Sequence, residues 1–348
     1  MIESRACILS ISGPRLTTDE ARLLADAAPW GVILMGRSCV SPSQVRALVD
    51  EIWAATGRPT LIFIDQEGGR VRRLRPPNWP EFPAAARYGA LYERDRDLGL
   101  EAAWLGHRLI AAELEPLGIH ADCAPVVDLR HDGAHSIVGD RSFGATPEQV
   151  GALARAALGG LAAGGVAGVI KHMPGHGRAE ADSHESLPVV TAGGNALAGD
   201  FAAFAAVVDA PMAMTAHIAY PALDGMTAAT VSPKIIGEVI RREIGFDGLL
   251  MTDDLGMNAL GGALTDRAHR ALAAGCDVVL HCSGFAKDAA TVFAEMTEVA
   301  EAAPILSGDA LRRAEAAERA TLGLGPFDRA EGWARLEKLL ADAGPAAA

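Results

Sequence analysis

The strongest constraint on the fold of this chain is a regular alternation of short apolar runs with longer segments of helical periodicity. The apolar runs are mostly continuous and seldom alternate with polar residues. This pattern is expected of parallel strands that are covered on both faces. The predicted strands are residues 6–11, 31–35, 60–65, 121–128, 166–172, 211–217, 249–253 and 277–281.

Helical patterns lie between the predicted strands. Ser41 followed by Pro42 is a helix-start signal, because serine caps the first turn and proline fits its first position. Thr18 and Asp19 begin an earlier helix. Further helical patterns cover residues 92–117, 147–163, 195–208, 232–244, 263–274 and 287–302. Eight strands, each followed by a helix, predict an α/β protein of one domain with a closed (β/α)8 TIM barrel.

No linker divides this sequence, so we expect one domain over residues 1–342 and a disordered tail over 343–348. A doubly wound parallel sheet is the alternative fold. It is disfavoured because the sequence lacks the glycine-rich fingerprint by which such sheets bind dinucleotides.

Composition excludes several classes of partner. The chain carries 31 Lys and Arg against 44 Asp and Glu, a net charge of -13 that would repel nucleic acid. Its five cysteines lack CxxC spacing, which favours a reducing compartment without disulfides. The first residues do not resemble a signal peptide. The apolar run 153–170 contains glycines typical of a buried helix leading into a strand. We therefore expect a cytoplasmic protein without a membrane partner.

The third predicted strand ends at Asp65, which is followed by two glycines and by four arginines within residues 70–75. In a barrel, functional residues lie at the C-terminal ends of the strands. A solvated loop is the simplest interpretation, since loops are polar by default. Alternatively, Asp65 binds a polar ligand, the glycines let the backbone bend beneath it, and one arginine reaches inward.

The fifth predicted strand ends in Lys171 and His172, and the following loop contains His176, Asp182 and His184. A lone histidine is most often structural, but this density of polar residues is hard to explain in that way. Metal binding is a rival interpretation, because His and Asp are common ligands. Neither an HExxH pair nor an HxH pair at the end of a strand supports it.

Three other strand ends carry polar residues. Asp140 and Arg141 follow strand four, where an Asp–Arg pair is usually a local salt bridge. His217 ends strand six and is ambiguous by itself. Strand seven ends in Asp253 and Asp254. Because adjacent strand residues point to opposite faces, we expect one of these carboxylates to face the pocket and the other to face a helix or cap it.

Together these motifs resemble the family 3 glycoside hydrolases, specifically the bacterial β-N-acetylglucosaminidases of cell-wall recycling. The resemblance covers nearly the whole chain. It rests on Asp-Gln-Glu-Gly-Gly-Arg-Val at 65–71, Gly-Asp-Arg-Ser-Phe at 139–143, Lys-His-Met-Pro-Gly-His-Gly at 171–177 with Asp-Ser-His at 182–184, and Thr-Asp-Asp-Leu-Gly-Met at 252–257.

The resemblance implies retaining hydrolysis of β-linked N-acetylglucosamine on anhydro-muropeptides from peptidoglycan turnover. Asp253 matches the nucleophile of the family, and His184 matches a general acid/base on a mobile loop, with Asp182 as its dyad partner. The residues that match those holding the terminal sugar are Asp65, Arg73, Arg141, Lys171 and His172. No metal or organic cofactor is implied, and we expect a monomer.

The implied chemistry is reasonable for these residue types. A retaining glycosidase needs a nucleophile and an acid that later acts as a base. A histidine suits the second task, because its unperturbed pKa of about 6.5 lies near neutral pH. Other functions stay open: a β-N-acetylglucosaminide phosphorylase or β-glucosidase of the same fold, a Schiff-base enzyme acting through Lys171, and a sugar-binding module without turnover.

Overall fold

The computed structural model of the chain describes residues 3–131, 133–134, 136–179, 186–284, 288–320 and 325–342. Its main strands are β1 (Arg5–Ser10), β2 (Pro29–Leu34), β3 (Leu61–Ile64), β4 (Ala121–Asp122), β5 (Ala167–Met173), β6 (Met212–Thr215), β7 (Leu249–Asp254) and β8 (Val278–His281). They close into a parallel barrel in the order β1-β8-β7-β6-β5-β4-β3-β2. The predicted (β/α)8 TIM barrel is therefore confirmed, and each predicted strand overlaps one strand of the barrel.

Helices alternate with these strands. They are α1 (Thr18–Ala27), α2 (Pro42–Thr56), α3 (Ala85–Arg94), α4 (Arg96–Leu114), α5 (Pro147–Ala163), α6 (Gly194–Ala205), α7 (Pro221–Asp224), α8 (Leu264–Ala274), α9 (Ala289–Ala302), α10 (Gly308–Arg319) and α11 (Arg329–Asp342). A π-helix covers Ile235–Glu243. Within the described residues, none of the helices has the length and apolar character needed to cross a bilayer.

Two apolar layers stabilise the barrel. One buried cluster contains Ile8, Phe63 and Met251. Strand residues of opposite parity, such as Leu9 and Leu250, belong to a second cluster that includes residues of the surrounding helices. Because successive strand residues alternate between faces, both faces of each strand must be apolar. The continuous apolar runs of the sequence follow from this arrangement.

The predicted helix 92–117 is wrong in its extent, because the structure contains two helices, α3 and α4, that meet at Asp95. The backbone of Asp95 is extended, with φ -150° and ψ 108°. Its carboxylate accepts the N–H groups of Asp97 and Leu98, both at 3.1 Å. Asp95 is thus an N-cap, and capping begins a new helix where helical periodicity alone predicts continuation.

Strand β4 is also shorter than predicted, since only Ala121–Asp122 of residues 121–128 forms a strand. Pro125 has no N–H to donate to a neighbouring strand. Val126 returns to the barrel through a single bridge to Lys171. The polar end of this segment, Asp128, is nevertheless buried beside the fifth strand.

Helix α10 packs at the N-terminal end of the barrel and does not alternate with a strand. Leu306, Ala314 and Ala317 join the same buried cluster as Ile8 and Phe63. The indole N–H of Trp30, at the start of β2, donates to Glu318 at 2.8 Å. The N-terminal end is therefore covered, whereas the C-terminal ends of the strands open into a cavity.

Candidate active site

A cavity of about 340 Å³ lies at the C-terminal ends of the strands, where a barrel of this type binds its ligand. Its lining is unusually rich in charged and polar groups for a partly enclosed space. The charged and histidine residues that line it are Asp65, Glu67, Arg70, Arg73, Arg141, Lys171, His172, His176, Asp253 and Asp254. Of the five polar strand ends of the sequence, those of the third, fourth, fifth and seventh predicted strands contribute residues to this lining, whereas His217 of the sixth is not among them.

Asp65 follows β3 and lies between two cations. Its Oδ1 atom accepts from Nζ of Lys171 at 2.9 Å, and its Oδ2 atom accepts from Nη2 of Arg73 at 2.8 Å. Burial raises the pKa of Asp65, but attraction to Lys171 and Arg73 lowers it by more, so the pKa ends below its usual value. The carboxylate is therefore charged at neutral pH and can accept further hydrogen bonds from a polar ligand.

Lys171 also contacts Glu67, with 2.7 Å between Nζ and Oε1. Burial lowers the pKa of Lys171, but the carboxylates of Asp65 and Glu67 raise it by more, so its pKa lies above the usual value. A Schiff-base lysine needs a pKa depressed toward neutrality to act as a nucleophile. The surroundings of Lys171 therefore disfavour a Schiff-base enzyme acting through this residue.

Arg73 reaches the cavity because of a local turn. Residues Gln66–Gly68 and Val71–Arg72 form a two-stranded antiparallel ribbon. Gly68 and Gly69 have φ of 91° and 56°, values that favour glycine. The Gln66 side chain then accepts the N–H groups of Arg73 and Leu74, both at 3.0 Å. The glycines thus bend the backbone beneath Asp65, as the sequence predicts.

The other three arginines of the segment bind elsewhere. Arg70 pairs with Asp140 at 3.0 Å at the rim of the cavity. Arg72 pairs with Glu81 at 2.6 Å, and Arg75 donates to the carbonyl oxygen of Arg72 at 3.2 Å. In the described structure, Arg73 is accordingly the member of this segment that meets Asp65.

Glu67 is a buried residue of the site that none of the sequence arguments single out. Its two oxygens accept from Nε and Nη2 of Arg141 at 2.8 and 2.7 Å. Burial raises the pKa of Glu67, but Arg141 and Lys171 lower it further, to about 2. The expected local salt bridge between Asp140 and Arg141 is wrong, because Asp140 pairs with Arg70 and Arg141 turns to Glu67.

The fifth strand contributes His172, which is fixed by Asp128. Nδ1 of His172 lies 2.7 Å from Oδ2 of Asp128. Oδ1 of Asp128 accepts the backbone N–H groups of His172 and His176, at 3.1 and 2.6 Å. Burial raises the pKa of Asp128, but His172 and His176 lower it to about 2. An ionised Asp128 therefore orients the His172 ring at the cavity wall.

The two carboxylates at the end of β7, Asp253 and Asp254, make different contacts. Oδ1 of Asp254 accepts the N–H groups of Gly256 and Cys282, both at 2.9 Å, so this carboxylate ties the β7 turn to the chain beyond β8. Oδ1 of Asp253 accepts the N–H of Asp254 at 2.8 Å, and Asp253 lines the cavity. Asp254 also borders the cavity, so the two side chains are less fully separated than strand alternation predicts.

Asp253 is in an environment that keeps it charged. Burial raises its pKa, whereas His172, His217, the N–H of Asp254 and Lys171 lower it, and the pKa ends below the usual value. His217 is buried, with Nδ1 2.7 Å from Oγ1 of Thr230 and Nε2 3.1 Å from the carbonyl oxygen of Asp254. An ionised carboxylate of this kind is a competent nucleophile.

Another buried carboxyl group, Asp122, lies at the end of β4. Oδ1 of Asp122 accepts the N–H of Gln66 at 2.9 Å. Its Oδ2 atom is buried and has no hydrogen-bond partner among the described residues. Burial raises the pKa of Asp122 to about 8. This carboxyl group therefore differs from Asp65 and Glu67, which salt bridges keep ionised.

Two predicted site residues, Asp182 and His184, lie outside the described residues. The described chain ends at Ala179 on one side of this segment and resumes at Ser186. Among the residues that the structure describes, no group of three His, Cys, Asp or Glu side chains is arranged to hold a metal ion. His172 and His176 lie with ring centroids 5.4 Å apart, in an edge-to-face arrangement.

A closed parallel barrel with buried, ionised groups at the C-terminal ends of its strands defines a (β/α)8-barrel enzyme. Comparison with known proteins specifies the family. Residues 2–312 match the family described as the glycosyl hydrolase family 3 N-terminal domain. The chain therefore belongs to glycosyl hydrolase family 3 and is a glycoside hydrolase, which confirms the resemblance of its motifs.

Individual relatives agree with this assignment. The β-hexosaminidase of Alkalilimnicola ehrlichii is 42% identical over 285 residues, which cover 79% of this chain and 80% of that protein. The β-hexosaminidase of Bordetella avium is 38% identical over 281 residues, with the same coverage of 79% and 80%. A crystal structure of NagZ from Neisseria gonorrhoeae with N-trifluoroacetyl-D-glucosamine is 32% identical. It superposes with a TM-score of 0.84 over 97% of this chain and 99% of that one.

Proposed function

We propose that this protein is a retaining β-N-acetylhexosaminidase that removes terminal β-linked N-acetylglucosamine from anhydro-muropeptides of peptidoglycan turnover. The observation that supports this most directly is the position of Asp253, an ionised carboxylate on the wall of a cavity lined with hydrogen-bonding groups. The related β-hexosaminidases and the NagZ structure with N-trifluoroacetyl-D-glucosamine support N-acetylglucosamine as the sugar that is removed.

Asp65, Arg73, Arg141, Lys171 and His172 bind the terminal sugar in this proposal. Asp65 offers acceptors to hydroxyl groups, while Lys171 and the two arginines offer donors. Their mutual salt bridges hold these groups in place before the sugar arrives, because Lys171 and Arg73 lie 2.9 and 2.8 Å from Asp65. Such preorganisation reduces the entropic cost of binding and orients the anomeric carbon toward Asp253.

The first chemical step forms a covalent intermediate. A carboxylate oxygen of Asp253 bonds to the anomeric carbon as the bond from that carbon to the leaving oxygen breaks, and His184 gives its proton to the leaving oxygen. In the second step His184 takes a proton from water, the water oxygen bonds to the anomeric carbon, and Asp253 leaves as a carboxylate. Asp182 orients the imidazole of His184 and favours its protonated form.

We place this reaction in the cytoplasm. All five cysteines are free, and four of them are buried, which suits a reducing compartment. Buried cysteines of this kind contribute packing in place of disulfide cross-links.

The activity is tested with 4-nitrophenyl β-N-acetylglucosaminide and 4-nitrophenyl β-glucoside, each with and without phosphate. We expect hydrolysis of the first substrate to be strongly preferred, with free N-acetylglucosamine as the product under both conditions. A sugar 1-phosphate would indicate the phosphorylase, and equal rates on both glycosides would indicate a β-glucosidase. Binding of N-acetylglucosamine without turnover would indicate a sugar-binding module.

The role of His184 is tested separately by replacing it with glycine. The variant should lose activity on a GlcNAc-β-1,4-linked disaccharide by about 100-fold or more, because general acid catalysis typically contributes that much. It should lose far less kcat/KM on the 4-nitrophenyl glycoside, whose leaving group needs little protonation. Equal losses on both substrates would contradict an acid role for His184.

A further inference from the structure

Asp200, on α6, is a buried carboxylate outside the cavity that joins two loops of the barrel mouth. Its side chain is only 2% exposed. Oδ1 lies 3.0 Å from Nε2 of His131, in the loop after β4, and Oδ2 accepts from Nε of Arg178 at 2.7 Å, in the loop after β5. The sugar-binding and nucleophile assignments do not use these three residues.

The chain before Ala179 is packed closely against this carboxylate. A Cβ atom on Gly175 would lie 2.9 Å from Cβ of Asp200, and one on Gly177 would lie 1.8 Å from the carbonyl oxygen of Leu129. The hydroxyl group of Tyr220 donates to the carbonyl oxygen of Gly175 at 2.6 Å. Glycine at 175 and 177 therefore allows the loop after β5 to lie directly on its neighbours.

Arg178 makes the last side-chain attachment before residues 180–185. Besides its bond to Asp200, its Nη2 atom donates to the carbonyl oxygen of Ala196 at 2.8 Å. Arg178 is thus held at two points on α6. On the other side of the segment, Val190 donates to the carbonyl oxygen of Ala219 at 2.9 Å, and Ala219 donates to that of Pro188 at 3.0 Å. Both flanks of residues 180–185 are therefore attached to the barrel.

We infer that Asp200 is a positioning residue for proton transfer. By holding Arg178 and His131, it fixes the described chain up to Ala179, immediately before the segment that contains Asp182 and His184. This inference rests on the proposed function, because it assumes that His184 is the acid/base. A displacement of about 1 Å in a catalytic group can cost about 100-fold in rate, so a shifted anchor should slow the steps that need His184.

The test compares Asp200→Asn with wild type, with His184→Gly and with Asp209→Asn as a matched control. Asp209 forms an ion pair with Arg155 at 3.0 Å near the end of α6, but this pair is exposed and lies apart from both loops. Each protein is assayed on N,N′-diacetylchitobiose and on 4-nitrophenyl β-N-acetylglucosaminide, the latter with and without azide. Arg178→Gln changes the other, partly exposed partner of the same contact and serves as the test if Asp200→Asn does not fold.

For Asp200→Asn and Arg178→Gln we expect kcat/KM to fall by about 10- to 100-fold on the disaccharide and by less than about 3-fold on the aryl glycoside. Azide should raise kcat on the aryl glycoside and yield the glycosyl azide, because azide attacks the intermediate without base catalysis. Asp209→Asn should behave as wild type in all assays.

Equal losses on both substrates without azide rescue, in whichever of the two variants folds, would overturn the role of Asp200 and leave it purely structural. The controls separate this failure from a failure of the proposed function. If His184→Gly itself shows no difference between the substrates, the acid/base assignment is wrong. If His184→Gly shows the difference and the Asp200 and Arg178 variants do not, only the positioning role is wrong.

Discussion

Nζ of Lys171, on β5, lies 2.9 Å from Oδ1 of Asp65, which follows β3 and is 106 residues away in the sequence. Both side chains are largely buried, with 3% and 13% of their surfaces exposed. Lys171 also forms a salt bridge with Glu67, so one cation balances part of the charge of two buried carboxylates. This arrangement holds the proposed sugar-binding groups in place and also links them to the stability of the fold.

Replacing Lys171 with alanine should destabilise the protein by about 3–5 kcal/mol, because removing one partner of a buried ion pair leaves its counter-charge unpaired. Urea denaturation measures the change. Lys234→Ala is the control, since Lys234 is exposed and donates only to the carbonyl oxygen of Leu223 among the described residues. That change should be within about 0.5 kcal/mol of wild type. A similar small effect for Lys171→Ala would contradict the buried network.

Asp122 gives a prediction for pH dependence. Its pKa is raised from 3.8 to about 8 in the folded protein. Between these values the folded protein retains a proton that the unfolded chain releases. The contribution of Asp122 to stability is thus fully present below the unfolded pKa and is lost as pH rises toward the folded pKa.

Asp122→Asn removes this titration. The free energy of unfolding of the variant, relative to wild type, should increase by about 1.4 kcal/mol per pH unit between about pH 5 and pH 8. Denaturation curves at several pH values measure the slope. The exposed Asp209→Asn variant should show a constant difference over this range, because salt bridging lowers the pKa of Asp209 below its usual value. A flat difference for Asp122→Asn would show that Asp122 is ionised in the folded protein.

The sequence allows the main features of the site to be predicted, because they follow from local rules. Asp65, Lys171 and Asp253 each follow or end an apolar run, and a closed barrel brings such positions to one mouth. The Asp-Gln-Glu-Gly-Gly motif also indicates a turn, which Gly68 and Gly69 make with positive φ.

Partners that are distant in sequence could not be predicted. Glu67 and Arg141 are 74 residues apart, and no periodicity relates them. The presence of a carboxylate next to the two glycines was the available signal for Glu67. Asp128 ends the predicted strand 121–128, yet its bonds to His172 and His176 depend on how the chain after Pro125 returns to β5. The boundary between α3 and α4 could not be predicted from helical periodicity either. There the Asp95 side chain accepts backbone N–H groups and caps a new helix.

The bidentate contact of Glu67 with Arg141 predicts a functional effect. In Glu67→Gln, the side-chain amide keeps one acceptor and places N–H donors toward the guanidinium. We expect Arg141 to shift and kcat/KM for 4-nitrophenyl β-N-acetylglucosaminide to fall by about 100-fold. Asp140→Asn is the matched control, because it weakens the exposed pair with Arg70 at the rim. If kcat/KM falls no further in Glu67→Gln than in Asp140→Asn, the position of Arg141 does not depend on Glu67.

Asp253 and Asp254 should differ in what their removal affects. Asp254→Ala leaves the N–H groups of Gly256 and Cys282 without their acceptor. We therefore expect the free energy of unfolding to fall by about 1–3 kcal/mol for each of these two N–H groups. Asp253→Ala should abolish turnover with a smaller loss of stability, because the Asp253 carboxylate accepts only the neighbouring N–H of Asp254 among the described residues. Thermal unfolding and activity assays on both variants measure the contrast. The reverse order of stability would contradict the assigned roles.

Trapping the glycosyl intermediate tests most directly whether Asp253 forms a bond to the sugar. The enzyme is incubated with a fluorinated N-acetylglucosamine derivative whose intermediate breaks down slowly, then digested and analysed by mass spectrometry. We predict one added glycosyl group, on the peptide containing residues 249–254 and specifically on Asp253, and no labelling of Asp253→Asn. A label on any other residue, or turnover without any covalent species, would contradict the mechanism.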